Sequence, residues 1–146
     1  MLKRKLSTFF HQPNDVKLLF ARAIITSAIV KSALVFIPFS KIKHVLGNPN
    51  IESKTECSEE TAIYLRKVQT ALRLCNKYTP WETECYTLAL TGKILLKRKN
   101  IISTLYFGFR KNKKDEYEGH AWLRSGSVII SGNKNLPTYQ IQSYFT

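Results

Sequence analysis

The sequence predicts an α+β protein in which N-terminal helices pack on a C-terminal antiparallel sheet. Two observations lead to this fold class. Apolar residues recur at helical spacing as far as residue 99, and from residue 101 the pattern changes to short strands rich in β-branched and aromatic residues. Helices followed by an antiparallel meander are typical of the α+β class. The 146 residues suffice for a single domain, with a helical region at residues 1–50 and a core at residues 58–146.

Composition narrows the classes of function. Apolar residues make up 44% of the chain, which argues against disorder. Lys and Arg number 23 against 10 Asp and Glu, and the resulting net charge of +13 suits an acidic peptide, an anionic membrane surface or a nucleic acid. No nucleic-acid-binding motif accompanies this charge, so we predict no nucleic-acid partner. A solvated basic surface without a charged partner is the simpler alternative.

The cysteines argue against two kinds of site. Cys57, Cys75 and Cys85 are an odd number and form no Cys-x-x-Cys pair, which is unlike a disulfide framework or a structural zinc site. We therefore predict no metal and no cofactor, with Cys57 and Cys75 as small apolar residues that fill the interior. Free thiols also fit the reducing cytoplasm.

A long apolar helix is predicted at residues 16–39, after turn residues in which His11 is placed as a solvated loop histidine. Lys17, Arg22 and Lys31 interrupt the helix, so no uncharged run approaches the roughly 20 residues that span a bilayer. Its polar positions do not gather on one face, which favours burial by the domain or by a partner. Peripheral membrane contact through this helix is the less favoured alternative.

Two further helices are predicted before the central part of the chain. Pro38 ends the long helix, and a short basic helix follows at residues 40–46. Ser58 is a hydroxyl cap followed by acidic residues, which indicates the start of the next helix. Pro80 marks the boundary after that helix.

The fourth helix is predicted at residues 81–99 and carries the first candidate for chemistry. Glu82, Thr83 and Glu84 are natural first-turn residues, which puts Cys85 near the N-terminal end of the helix. Basic residues are concentrated at its C-terminal end, where positive charge interacts favourably with the helix dipole.

Strands are predicted after this helix at residues 101–109, 119–124, 127–131 and 138–145. Ser125-Gly126 joins the second and third strands in a short hairpin. A charged turn separates the first and second strands. We assign three acidic residues to that turn as solvated side chains: Asp115, Glu116 and Glu118.

Cys85 and His120 together are the minimum for cysteine nucleophile chemistry. A helix N-terminus and an adjacent imidazolium both favour the reactive thiolate, and here the thiol lies near a helix start and the imidazole on a strand. Backbone N–H groups of the first turn could hold the oxyanion of a tetrahedral intermediate. On spacing alone, a buried cysteine and an unrelated histidine would be the better explanation. The sequences around the two residues, however, favour a catalytic pair.

Three stretches carry a family resemblance: PWETECYTLALTGKILLKRKNI, STLYFGFRK and GHAWLRSGSVIISG. They resemble the lasso-peptide leader peptidase family, which is related to bacterial transglutaminase-like proteins. The shared features are a Pro-Trp pair before the nucleophilic Cys, an Ala/Leu-rich helix, a His-Ala-Trp strand and a small-Gly pair. They fall on Pro80, Trp81, Cys85, Leu88, Ala89, Leu90, Leu95, Leu96, Gly108, His120, Ala121, Trp122, Gly126, Ser131 and Gly132. The resemblance covers nearly the whole chain.

The third member of the site departs from the family pattern. The family's triad is Cys-His-Asp, yet no Asp or Glu follows His120 in this sequence. A neutral Asn can orient an imidazole, as in papain-like enzymes. Asn133 is therefore the candidate orienting residue, with Ser127 as its substitute.

The resemblance implies a transglutaminase-like or papain-like core and a cytoplasmic cysteine peptidase that removes the leader from a lasso-peptide precursor. Cys85 would attack the scissile carbonyl, and His120 would act as the base. The implied partners are the precursor peptide, a separate small leader-recognition protein and the ATP-using lasso cyclase. Two alternatives stay open: a transglutaminase-like amide transferase, and a non-enzymatic basic binding module whose Cys and His are structural.

Overall fold

Helices precede an antiparallel sheet along the chain, and this order confirms the predicted α+β class. The computed structural model describes residues 12–146, so His11 and the basic start of the chain lie outside the described residues. The helices are α1 (Asn14–Phe36), α2 (Phe39–Leu46), α3 (Glu59–Tyr78) and α4 (Cys85–Lys97). The strands are β1 (Thr104–Lys111), β2 (Tyr117–Ser125), β3 (Val128–Ser131) and β4 (Gln140–Phe145), with a short 3-10 helix at Leu136–Thr138. Their order in the sheet is β3-β2-β1-β4.

The core lies between the sheet and the helices α3 and α4. Helix α3 packs against β3, and α4 packs against β2 and β3. Helix α1 contacts both α3 and α4. Fully buried leucines from these elements meet in one cluster: Leu65, Leu72, Leu96, Leu105 and Leu123. This packing holds the start of α4 next to β2 and β3, where the candidate site lies.

Helix α1 is covered on one face only. Leu19, Ala23 and Val30 join the core, as predicted for a helix that packs on the domain. By length and composition α1 could also cross a membrane, with a mean hydropathy of 1.8, although only 28% of its most apolar stretch is buried. Core helices and signal sequences near an N-terminus meet the same criterion. The helix ends at Phe36, earlier than predicted, because Ile37 is extended and Pro38 caps α2.

Helix α4 begins later than the sequence predicted. Ser58 caps α3 as expected, and its hydroxyl accepts a hydrogen bond from the Thr61 amide. Residues 81–84, however, are not helical, and Glu84 is the cap residue of α4. The Thr83 hydroxyl is hydrogen-bonded to Asn76 of α3, and the Glu84 carboxylate pairs with Lys31 of α1 at 3.4 Å. These contacts tie the segment to α3 and α1, and Glu84 has an extended backbone, so the helix starts at Cys85 itself.

The strands also differ from the prediction at their ends. Residues 101–103 are not part of β1, because the Ile101 amide bonds back to the Leu96 carbonyl and closes α4. The predicted hairpin between β2 and β3 is present, but its turn is Gly126-Ser127 and not Ser125-Gly126, because Ser125 pairs with Val128 in the sheet; Gly126 has a φ of +53°. Cys57 was predicted to be buried, and this was wrong: its side chain is exposed next to Gly126. Cys75 is fully buried, as predicted.

Candidate active site

Cys85 is the first residue of α4. It is half-buried, packs against the core cluster and also lines a cavity of about 580 Å³ between α3, α4 and the segment after β3. No side chain caps this helix by a hydrogen bond, and the first bond of the ladder runs from the Leu88 amide to the Glu84 carbonyl. The first-turn N–H groups lack intrahelical partners, so they are suited to hold an anion at the helix start.

His120 lies in β2, opposite Gly108 of β1. Its Nε2 is 2.7 Å from the carbonyl oxygen of Gly132. A carbonyl oxygen can only accept, so this bond requires a proton on Nε2 and leaves Nδ1 as the acceptor nitrogen of the neutral ring. The imidazole is therefore oriented by the backbone, with one nitrogen available to take a proton.

Gly132 has a backbone that only glycine adopts without strain. Its φ is +76°, and a Cβ atom there would lie 2.5 Å from the Ala121 carbonyl oxygen and 2.8 Å from the Trp122 Cβ. The chain therefore approaches β2 closely at this residue. That close approach brings the Gly132 carbonyl to His120.

Aromatic rings surround the His120 imidazole. The Tyr139 ring is stacked at 4.8 Å between centroids, and the Trp122 ring is stacked at 6.0 Å. Gly108 makes room for Trp122, because a Cβ at Gly108 would lie 3.0 Å from the indole ring. Trp122 is buried, so its large ring packs in the interior beside the imidazole.

Polar groups in turn hold Tyr139. The Arg110 guanidinium lies over its ring at 4.7 Å and also pairs with Glu118 at 2.9 Å. Burial raises the pKa of Tyr139; Arg110 opposes the rise, while the charges of Glu118 and Cys85 add to it. Tyr139 therefore contacts both the His120 imidazole and the Arg110 guanidinium. Glu118 was predicted to be in a turn, and this was wrong, because it lies in β2 and pairs with Arg110.

Three of the four residues proposed from the sequence share one cavity. Cys85, His120 and Asn133 all line it, whereas Ser127 lies exposed in the β2–β3 turn and does not. Within residues 12–146 no hydrogen bond joins His120 to Cys85 or to Asn133, so the orienting contact of the ring is Gly132. Hydrogen bonds at catalytic residues are often long in the absence of substrate and tighten when it binds.

Most of the other residues around the site could not be predicted from the sequence. Gly132 belonged to the small-Gly pair, but nothing in the sequence pointed to its carbonyl as the partner of His120. Tyr139 carried no signal, and neither did the basic side chains of Arg73 and Lys134, which line the cavity. In the described part of the chain, no three His, Cys, Asp or Glu side chains cluster as metal ligands would.

Comparison with known proteins places this arrangement in a family. The sequence model described as the transglutaminase-like superfamily matches residues 33–143, which is more than half of the chain. The matched range includes Cys85, His120 and Gly132. Neither the search of curated proteins nor that of solved structures gave a match. The superfamily includes cysteine peptidases and transglutaminases, whose chemistry commonly depends on a cysteine. The family match and the shared cavity of Cys85 and His120 together show that this chain belongs to the transglutaminase-like superfamily.

Proposed function

We propose that this protein is a cytoplasmic cysteine peptidase that removes the leader from a lasso-peptide precursor. One observation carries the proposal: Cys85, at the N-terminus of a helix, and His120, on the neighbouring strand, line the same cavity in a member of a superfamily rich in cysteine enzymes. The finer assignment to leader removal rests on the resemblance of the Cys85 and His120 stretches to that peptidase family.

The proposed reaction has two steps. The Cys85 thiol gives its proton to His120 and attacks the scissile carbonyl carbon, and the resulting oxyanion is held by N–H groups at the start of α4. As the C–N bond breaks, His120 returns the proton to the leaving amine. Water, activated by the same imidazole, then hydrolyses the thioester to a free carboxylate and restores the thiol.

In this proposal two neighbouring residues, Gly132 and Asn133, orient the His120 imidazole. The Gly132 carbonyl accepts a hydrogen bond from the His120 Nε2–H and fixes the tautomer, as the 2.7 Å distance supports. Asn133, the next residue, is exposed on the cavity wall and is the candidate for a supporting contact with substrate bound. Ser127 is not proposed again as a substitute, because it lies away from the cavity.

The partners follow from the same resemblance. We propose that a separate leader-recognition protein delivers the precursor and that the lasso cyclase acts on the released core peptide. The net charge of +13 is suited to an acidic partner or an acidic leader.

Cleavage of the cognate precursor by the reconstituted partners, followed by mass spectrometry, tests the proposal. Cys85→Ala should abolish cleavage without unfolding the protein, since it deletes the nucleophile and little packing volume. Replacing His120 by Ala should be nearly as damaging, because residues of a catalytic unit act non-additively. Asn133→Ala should reduce cleavage less than either of these substitutions. Cys57→Ala is the matched control, since that thiol is exposed and away from the cavity.

The products separate the proposal from its alternatives. A free carboxylate at the new C-terminus supports hydrolysis, whereas an amide formed with an added amine identifies an amide transferase. Cleavage by the Cys85→Ala protein at the parental rate would show that the site is wrongly assigned. A protein that processes no peptide yet binds nucleic acid with strong salt dependence would be the basic binding module.

A further inference from the structure

The outer face of α1 carries a line of exposed apolar side chains, with the exposed Arg22 and Ser32 beside it. Leu18, Ile25, Ile29 and Phe36, here called the α1 stripe, are exposed to 53%, 62%, 61% and 83%. Their spacing of seven, four and seven residues keeps them within about 20° of one line along the helix. Single exposed apolar residues are ordinary on proteins, but a line of four along one helix marks an interaction surface.

The stripe is not explained by the packing of the domain. The opposite face of α1 is already buried, and it includes the polar residues Thr26 and Ser27. A helix that served only to complete the core would place such polar residues outside and its isoleucines inside. The distribution in α1 is the reverse for Ile25 and Ile29, so packing of the core does not account for the apolar residues on the outer face.

The charge of the two helices α1 and α2 is mainly positive. Residues 14–46 contain five Lys or Arg and one acidic residue, Asp15, which pairs with Lys67 of α3. Lys31 pairs with Glu84, whereas Lys17, Arg22 and Lys41 form no ion pair with any residue that the structure describes. The exposed apolar surface is therefore accompanied by three cations without an ion pair among the described residues, whereas the acidic residue of α1 is already paired with Lys67.

An anionic bilayer surface matches both properties at once. The stripe runs along the outer side of a helix for about 27 Å, a shape that can lie in the boundary between headgroups and acyl chains. Lipid phosphates would then neutralise the flanking cations. A membrane-crossing orientation is inconsistent with the inner face, where Leu19 and Ala23 are part of the core and the Ser27 hydroxyl lies 3.4 Å from the Cys75 sulfur.

We propose that α1 docks this protein on an anionic phospholipid membrane, lying parallel to the surface with the α1 stripe in the interface and Lys17, Arg22 and Lys41 at the headgroups. The Cys85 thiol is on a different helix, whose start opens into its own cavity. Docking is thus independent of the proposed peptidase activity.

Vesicle co-sedimentation of the full chain tests the proposal. The probes are vesicles of phosphatidylcholine alone and vesicles of phosphatidylcholine mixed with phosphatidylglycerol. The double variant Ile25→Ser/Ile29→Ser removes apolar area from the stripe, and Ile63→Ser/Ile102→Ser is the matched control, since both of its isoleucines are exposed elsewhere. Parental protein and control should bind the mixed vesicles, and the stripe variant should bind them at least about tenfold more weakly. Thermal unfolding of each variant verifies that it is folded.

Three outcomes would overturn the proposal. Parental protein that binds neither vesicle has no such membrane surface. A stripe variant that binds like the control would mean that charge alone holds the protein. Parental protein that sediments equally with both vesicles would refute the role of the anionic headgroup. A stripe that joins two copies of the chain would instead give a parental dimer and a monomeric variant by light scattering, with no vesicle binding by either.

Discussion

At the scale of single residues, Gly132 combines a backbone requirement with a role at the site. Its left-handed φ and its closeness to the Ala121 carbonyl leave no room for a side chain, and its own carbonyl holds His120 Nε2. A substitution there must move the chain away from β2, and the carbonyl moves with it. The residue is therefore important through its backbone.

We expect Gly132→Ala to lower the free energy of unfolding by about 1–3 kcal/mol, because the new Cβ is both strained and in contact with β2. Activity should fall by about tenfold or more, since the imidazole loses its fixed orientation. Denaturant unfolding and peptide cleavage measure the two effects. Gly119→Ala is the control, as no heavy atom lies within 4 Å of a Cβ there. Equal activity of the two variants would contradict the role of the Gly132 carbonyl.

Tyr139 acts on His120 through its ring. The stacked contact at 4.8 Å needs the aromatic ring and not the hydroxyl. Tyr139→Ala should therefore reduce kcat by up to about tenfold, because a stacked pair is worth about 0.5–1.5 kcal/mol, while KM changes little. Tyr139→Phe keeps the ring and should retain most of kcat. Steady-state kinetics on a cleavable peptide distinguishes the two, and an equally impaired Phe variant would mean that the hydroxyl matters instead.

At the scale of elements, a buried lysine of α4 joins this helix to two strands of the sheet. The Lys93 Nζ donates to the Ser103 carbonyl at 3.0 Å, next to the start of β1, and lies 3.4 Å from the carbonyl of Phe145 at the end of β4. Burial lowers the pKa of Lys93 to about 8, and the charge of Lys97 adds to this. The ammonium is thus satisfied by hydrogen bonds but forms no ion pair with a carboxylate of residues 12–146.

This buried lysine predicts a pH dependence of stability. Between pH 8 and 10.5 the unfolded chain binds more protons at this residue than the folded one, so stability rises with pH across that window. The rise is on the order of 3 kcal/mol. It should be absent from Lys93→Met, in which no titratable group remains at this position. Chemical denaturation of both proteins at several pH values in this range measures the difference, and parallel curves would contradict the prediction.

At the scale of the whole molecule, the N-terminal and C-terminal parts are joined at the edge of the sheet. The Asn48 amide donates to the Thr146 carbonyl at 2.7 Å, the Thr146 amide donates to Asn48 at 2.9 Å, and the Asn50 amide donates to Tyr144 at 3.0 Å. These bonds satisfy backbone groups along β4, which is an edge strand. Gly47 permits this contact, because a Cβ there would collide with the Thr146 carbonyl.

Gly47→Ala should separate this junction. We expect a loss of about 1–3 kcal/mol in stability, because the residue has a φ of +93° and no space for a side chain. Hydrogen exchange should accelerate at the Asn48 and Thr146 amides more than in β2. Uniform protection in both proteins would show that the junction contributes little.

Much of this protein could be predicted from local sequence patterns. The α+β class followed from the change in periodicity near residue 100, since helices and strands bury apolar residues at different spacings. The Ser58 cap and the β2–β3 hairpin depend on neighbouring residues only, so the sequence alone determined them. Cys85 and His120 were identified by their residue types and local motifs, and they do share a cavity.

Tertiary contacts decided the rest. Helix α4 starts at Cys85, and the two residues before it, Thr83 and Glu84, contact α3 and α1. Contacts with distant helices cannot be predicted from the spacing of neighbouring residues. The partner of His120 is a main-chain carbonyl, and every residue has one, so no residue type could indicate it. Apolar residues of helix α1 occur on all of its sides and the polar ones do not gather on one face, and such a pattern does not tell which face the domain covers. Only packing against α3 and α4 selects the buried face and leaves the α1 stripe exposed.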